Sequence, residues 1–241
     1  MIITQKDKNY LHKLLDNVCF PEQFGIDESG VLDSNYDILS SINGTANIRS
    51  LYGASKYVLL EKNLPYVIKI PFNGCWFYDE EGDPEIDEDT VFCPFENACN
   101  DGYADDFFFA DDYCETERRF YQVMIETGFE VFFAETRYFD TINGKRIYLQ
   151  EKVTPYESFS DRQEASPLAK QFSEILNVSL PADWIEKAIE SYGEELTKAF
   201  VDFLSSDKDV GAIIASDLYS ANYGYREDGT PCLLDYSGYE A

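Results

Sequence analysis

Basic side chains are scarce in this sequence: 19 Lys and Arg stand against 46 Asp and Glu, a formal net charge of −27. A chain so acidic repels nucleic-acid phosphates and anionic bilayers, so neither direct nucleic-acid binding nor membrane association is expected. Histidine is scarcer still, with His12 alone. The six cysteines (Cys19, Cys75, Cys93, Cys99, Cys114 and Cys232) include no C-x-x-C pair, which argues against a structural zinc site. Scattered in this way, they read as buried reduced thiols. Long apolar runs are also missing. No segment approaches the ~20 residues that span a bilayer, and MIITQKDKNYLHKLL reads as an amphipathic helix rather than a basic leader. These absences together imply a soluble, cytoplasmic protein. What is present suffices for a sizeable core: 44% of the 241 residues are hydrophobic and 16% aromatic, enough for one large domain or two small lobes.

Periodicity divides the chain. Leu11, Leu14, Leu15 and Val18 fall at helical spacing within Asp7 to Val18. Polar and turn residues dominate from Gly25 to Asn47. In SKYVLLEKNLPYVIKIPF, the apolar runs Tyr57–Leu60 and Tyr66–Ile70 flank EKNLP and read as a hairpin. From Ile70 to Glu117 there is no Lys or Arg, and counting the sequence gives sixteen Asp and Glu, more than half of the net charge. Disordered acidic tails are poor in aromatics, whereas this window holds Trp76, Phe77, Tyr78, Phe92, Phe95 and Phe107–Phe109. It reads as an ordered acidic insertion, at about 73–112, with DEEGDPEIDED as an exposed loop.

Tyr113 to Thr127 reads as a helix capped by Asp111 or Asp112 and stopped at Gly128. FFAETRYF and KRIYLQEKV follow as strands about an Asn143-Gly144 turn. Ser166 and Pro167 have the look of an N-cap and a first-turn proline. One long helix is expected from about Ala182 to Leu204, with Ile185, Ile189, Tyr192, Leu196, Phe200 and Phe203 as its buried stripe. VGAIIASDL and PCLLDY then read as short apolar runs around a turn at REDGT. Strands gather in the first half and helices in the second, an α+β pattern.

Near the C-terminus lie IASDLYSANYGY and LLDYSGY. Asp217 and Asn222 are spaced D-x-x-x-x-N, and Asp235 ends an apolar run. Far upstream, YVIKIPF sets Lys69 between Ile68 and Ile70, so on a strand its ammonium points away from their side. SLYGASKYVLL keeps Gly53, Ala54 and Ser55 before a strand, small residues that let a backbone approach phosphate closely. From about Ser50 to Tyr239 the chain resembles the protein-kinase-like fold, which includes protein kinases and small-molecule kinases. The resemblance implies a two-lobed α+β structure: a strand-rich N-lobe over 1–153, with the N-terminal helix and the acidic insertion, and a minimal helical C-lobe over 154–241. It implies an ATP-dependent kinase that uses Mg-ATP, with a protein substrate or basic protein partner. Lys69 would grip the α- and β-phosphates, Glu117 would pair with it (Glu115 being the alternative), and Asp217 would accept the hydroxyl proton. Asn222 and Asp235 would hold magnesium. Gly53, Ala54, Ser55 and Glu151 would join Lys69 in nucleotide binding.

The sequence departs from the family at several points. Ala215 and Ser216 stand where a histidine and an arginine commonly precede the loop aspartate. Asp235-Tyr236-Ser237 replaces D-F-G, with Gly238 one place late. Ala241 comes six residues after Asp235, so the resemblance leaves no activation segment and no usual substrate platform. Two alternatives therefore stand beside the enzyme. One is a catalytically inactive kinase-like binding module, and the other an acidic inhibitor that engages a basic or nucleic-acid-binding partner.

Overall fold

The computed structural model describes residues 1–22, 24–27, 29–32, 35–42, 47–53, 55–73, 75–78, 81, 84–87, 112–156, 165–175, 180–205 and 210–236. Over these the chain is α+β, with antiparallel sheets and a separate helical region. It divides into two compact units. The first takes 1–87, 112–115 and 136–151; the second takes 116–135 and 152–236.

The first unit is built on a five-stranded antiparallel sheet of order β1-β2-β3-β7-β6. Its strands are β1 (Ile48–Tyr52), β2 (Lys56–Glu61), β3 (Tyr66–Pro71), β6 (Thr136–Ile142) and β7 (Lys145–Glu151). The expected β2–β3 hairpin is present, with Val58 opposite Lys69. β6 and β7 turn through Asn143 and Gly144, which both take positive φ, 50° and 80°, as the Asn-Gly pair favours. Alternation then sorts the side chains. Tyr57, Leu59, Ile68, Ile70, Ile147 and Leu149 fall on one face and form a core with Leu11, Leu15, Ile38 and Phe24. Each such aliphatic side chain contributes about 1.5–3 kcal/mol on burial.

The helices over this face start and end where local chemistry dictates. α1 (Gln5–Leu15) begins at Thr4, whose hydroxyl accepts the Asp7 N–H while the Asp7 carboxylate accepts the Thr4 N–H, a reciprocal cap. The polar stretch expected to be irregular contains a short helix, α2 (Asn35–Ser41), which buries only Ile38. Its apolar residues are Tyr36, Ile38 and Leu39, and seven residues are too few to show a helical period. The acidic window contributes β4 (Cys75–Tyr78) and β5 (Pro84–Asp87), paired antiparallel. PEID is therefore a strand rather than part of an exposed loop. The rest of the insertion lies outside the described residues.

α3 (Tyr113–Thr127) spans the residues expected, and Asp112 is its cap: Asp112 Oδ1 accepts the Glu115 N–H at 2.6 Å. The FFAETRYF strand is shorter than expected. Glu130–Phe132 forms a 3-10 turn, and β6 begins only at Thr136 because Phe132 and Phe133 are drawn into the second core.

The second unit packs α4 (Pro167–Ile175), α5 (Ala182–Tyr192), α6 (Glu194–Leu204) and α7 (Val210–Ser216) around Phe120, Met124, Phe132, Phe133, Trp184, Phe200 and Ile214. Ser166 caps α4 as expected, its Oγ accepting the Ala169 N–H. The single long helix expected over 182–204 is two helices. Gly193 sits at φ 89° and ψ 155°, which no helical residue adopts, so the chain stops and restarts there. Both halves keep the buried stripe, which is why periodicity alone read through the break. VGAIIAS, read as an apolar run beside the last turn, is the helix α7. Short apolar runs do not distinguish strand from buried helix. A small sheet, β10-β9-β8, completes the unit, with β8 (Thr154–Pro155), β9 (Tyr223–Tyr225) and β10 (Pro231–Leu233). Its β9–β10 hairpin turns through Asp228 and Gly229 (φ 84°).

Candidate functional site

Three of the residues singled out in the sequence meet in the second unit. α7 ends at Ser216, and Asp217 follows in a turn, its side chain largely buried. The chain passes through a 3-10 turn at Ser220–Asn222 into β9. The Asn222 side chain donates through Nδ2 to the main-chain carbonyl of Asp217. The Asn222 carbonyl accepts the N–H groups of Leu234 and Asp235, at 2.8 and 3.2 Å. One residue thus ties the loop of Asp217 to the segment of Asp235. An amide that donates through Nδ2 keeps its oxygen as an acceptor, so Asn222 Oδ1 and the Asp235 carboxylate are the hard oxygen donors of these two segments. That donor set fits Mg²⁺, which typically takes one or two carboxylates and completes its shell with water and phosphate. Among the described residues there is no group of three or more His, Cys, Asp and Glu that could hold a metal.

The supports of this loop were not legible in the motif. Tyr236 is fully buried, stacks edge-on against Phe133 at 5.0 Å and donates its hydroxyl to the Ala134 carbonyl at 2.7 Å. The Ala134 N–H donates in turn to the Leu233 carbonyl at 2.7 Å. Arg226 reaches from the hairpin to the carbonyls of Val131 and Phe133, at 3.0 and 2.9 Å, and to the Tyr192 hydroxyl at 3.0 Å. Trp184 donates its indole N–H to the Gly224 carbonyl. At Gly224 itself a Cβ would stand 2.1 Å from the Thr154 carbonyl oxygen, so β8 can lie against this position only because it is glycine. The one available signal was composition: aromatics and a glycine, YGY, directly after Asn222.

The remaining candidates belong to the first unit or to α3. Lys69 lies on the central strand β3, opposite Val58 on one side and Tyr148 on the other. Its neighbours Ile68 and Ile70 enter the core on the other face, as alternation requires, yet Lys69 is itself buried. It is not a solvent-facing strand lysine. The Tyr148 hydroxyl, on the Lys69 face, lies 3.2 Å from both Asp112 Oδ2 and Glu115 Oε2. Burial first, and then the Asp112 charge, drive the Tyr148 phenol far above its ordinary value, so it remains a donor at all physiological pH. Arg146 pairs with Asp112 at 3.1 Å. Glu115 accepts from Tyr148, while Glu117, two residues along the helix and on a different side of it, is fully buried.

Gly53 and Ser55 stand at the β1–β2 turn, where the Gly53 N–H donates to Lys56 and the Ser55 carbonyl accepts from Phe72. A Cβ at Gly53 would meet nothing within 4 Å, so the fold itself does not require glycine there. Ala54 lies outside the described residues. Glu151 ends β7 opposite Tyr66.

Cys114 and Cys232 are buried and Cys19 is exposed; none of the three forms a disulfide. Among the described residues no helix is long and apolar enough to cross a membrane. No protein-family model matches the chain, and no curated protein matches its sequence.

Proposed function

We propose that the chain is a kinase-like phosphotransferase that uses Mg-ATP and transfers phosphate to a hydroxyl on a protein. The observation that carries this reading is the loop in which Asn222 joins Asp217 to Asp235. Its spacing matches the family motif, and the hydrogen bonds of Asn222 tie the backbone of Asp217 to that of Asp235. The buried lysine on the central strand and the glycine at 53 that the fold does not require add support.

In this reading Asp217 orients the acceptor hydroxyl and takes its proton late in the reaction. The new bond forms between the acceptor oxygen and the γ-phosphorus, the bond to the β,γ-bridging oxygen breaks, and ADP leaves. Asn222 and Asp235 would hold Mg²⁺, which would supply positive charge against the negative phosphate oxygens. Lys69 binds the α- and β-phosphates, and Glu117 keeps the helix-glutamate part that the resemblance gives it. Ser55 and the Gly53 backbone serve the phosphates as well.

The test is label transfer from γ-labelled ATP with Mg²⁺ to a mixed protein acceptor. Asp217→Asn should lower the rate by about 10²–10⁴-fold. Asp235→Asn should abolish transfer and remove the stabilisation that Mg-ATP gives the wild-type chain. Absence of both transfer and any thermal shift with Mg-ATP refutes the reading.

The net charge of −27 favours a second reading, a non-catalytic module that engages a basic partner. Binding of that kind would weaken steeply with salt and would survive both substitutions.

A further inference from the structure

Lys56 is a buried cation that the reading above leaves unused. It opens β2 opposite Pro71 of β3, while Lys69 stands opposite Val58, two places along. Both lysines therefore lie on the same face of the sheet, away from the core side chains of Tyr57, Leu59, Ile68 and Ile70. They are diagonal neighbours, about 7–8 Å apart at the backbone, a distance that two lysine side chains span. Lys56 is 4% exposed and Lys69 3%, whereas Val58 and Leu60 on that face are half-buried. The charged side chains are thus the covered ones and the apolar ones lie more open, the reverse of the usual order.

The second observation is where Lys56 stands. The Gly53 N–H donates to the Lys56 carbonyl at 3.2 Å, and the Ser55 carbonyl accepts the Phe72 N–H at 3.0 Å. The β1–β2 turn is therefore closed onto the strand ends at Lys56. This places Lys56 between that turn and Lys69, two features already given to the phosphates. Two ammonium groups this close repel each other and each costs desolvation, which a polyanion offsets. An ammonium carries three N–H donors, so Lys56 can keep a protein acceptor and still donate to a phosphate.

We infer that Lys56 is a second phosphate-binding residue, and that it holds the polyphosphate of a nucleoside triphosphate together with Lys69. This rests on the phosphotransferase reading above, in which Lys69 binds the α- and β-phosphates. Lys56 binds charge only; it takes no proton and forms no covalent bond.

The experiment measures binding to the full chain by calorimetry, with Mg-ATP and with adenosine, apart from any transfer assay. Lys56→Met should weaken Mg-ATP by about 10- to 100-fold and leave adenosine nearly unaffected. It should also flatten the salt dependence of Mg-ATP binding. Lys56→Arg, which keeps the charge, should bind Mg-ATP much as wild type does. Where Lys56→Met does not fold, Lys56→Gln makes the same comparison. If neither neutral variant folds, Lys56 is a structural cation and the inference is overturned. Equal loss of Mg-ATP and adenosine would overturn it too, since that marks damage to the sheet. Unchanged Mg-ATP binding in the neutral variant would overturn it while leaving phosphotransfer standing. If wild type binds no Mg-ATP and transfers no phosphate, both readings fall together.

Discussion

At the scale of single residues, the candidate loop depends on contacts that its motif does not contain. Gly224 is the sharpest case. A methyl group at this position would collide with the Thr154 carbonyl at 2.1 Å, and backbone on both sides leaves no flexible atom to yield. Gly224→Ala should therefore lower stability by about 1–3 kcal/mol, read as a drop in thermal midpoint. An unchanged midpoint would mean that β8 can move away without cost. Arg226→Met tests the other support. It keeps the stem but leaves the Val131 and Phe133 carbonyls without their donor, and should cost about 2–3 kcal/mol in denaturant titration. D-x-x-x-x-N was legible because it is local in sequence. Tyr236 and Arg226 were not, because their partners lie roughly a hundred residues away.

At the scale of elements, most starts and stops could be read from side-chain chemistry. The cap at Asp112, the stop at Gly128, the Asn143-Gly144 turn and the Ser166 cap all act within a few residues, so sequence spacing carries them. The departures have two causes. A buried stripe continues through Gly193, so periodicity predicts one helix where α5 and α6 stand, and the seven apolar-rich residues of α7 suit either a strand or a helix. Asp112 offers a test at this scale. Its carboxylate caps α3, accepts from Tyr148 and pairs with Arg146. Asp112→Ala removes all three and should cost more than the ~1 kcal/mol typical of a lost cap. Hydrogen exchange should then rise first in the opening turn of α3. Uniform protection across the helix would argue that the cap is dispensable.

At the scale of the whole molecule, charge is the dominant fact. With a net −27 the folded chain repels itself, so raising salt from ~10 mM to ~150 mM should raise the thermal midpoint. A fall would mean that attractive pairs outweigh the repulsion. Alkaline pH acts through a different group. Burial pushes the Lys145 ammonium down to about 8, against the opposing pull of Asp112. Between that value and the ordinary lysine value near 10.4, the unfolded chain holds the proton and the folded chain does not, so stability should rise with pH across this window. Lys145→Met should flatten the rise, and an identical slope in the variant would assign it to another group. The sequence by itself determined the α+β class, the helix caps and hairpin turns, and the spacing of Asp217, Asn222 and Asp235. These are set by periodicity and by interactions that span only a few residues. The tertiary structure alone decided that Lys69 is buried, that Asn222 bonds to both Asp217 and Asp235, and that Tyr219 stays exposed among buried neighbours. Burial and long-range hydrogen bonds depend on which distant segments meet, and no local pattern encodes that.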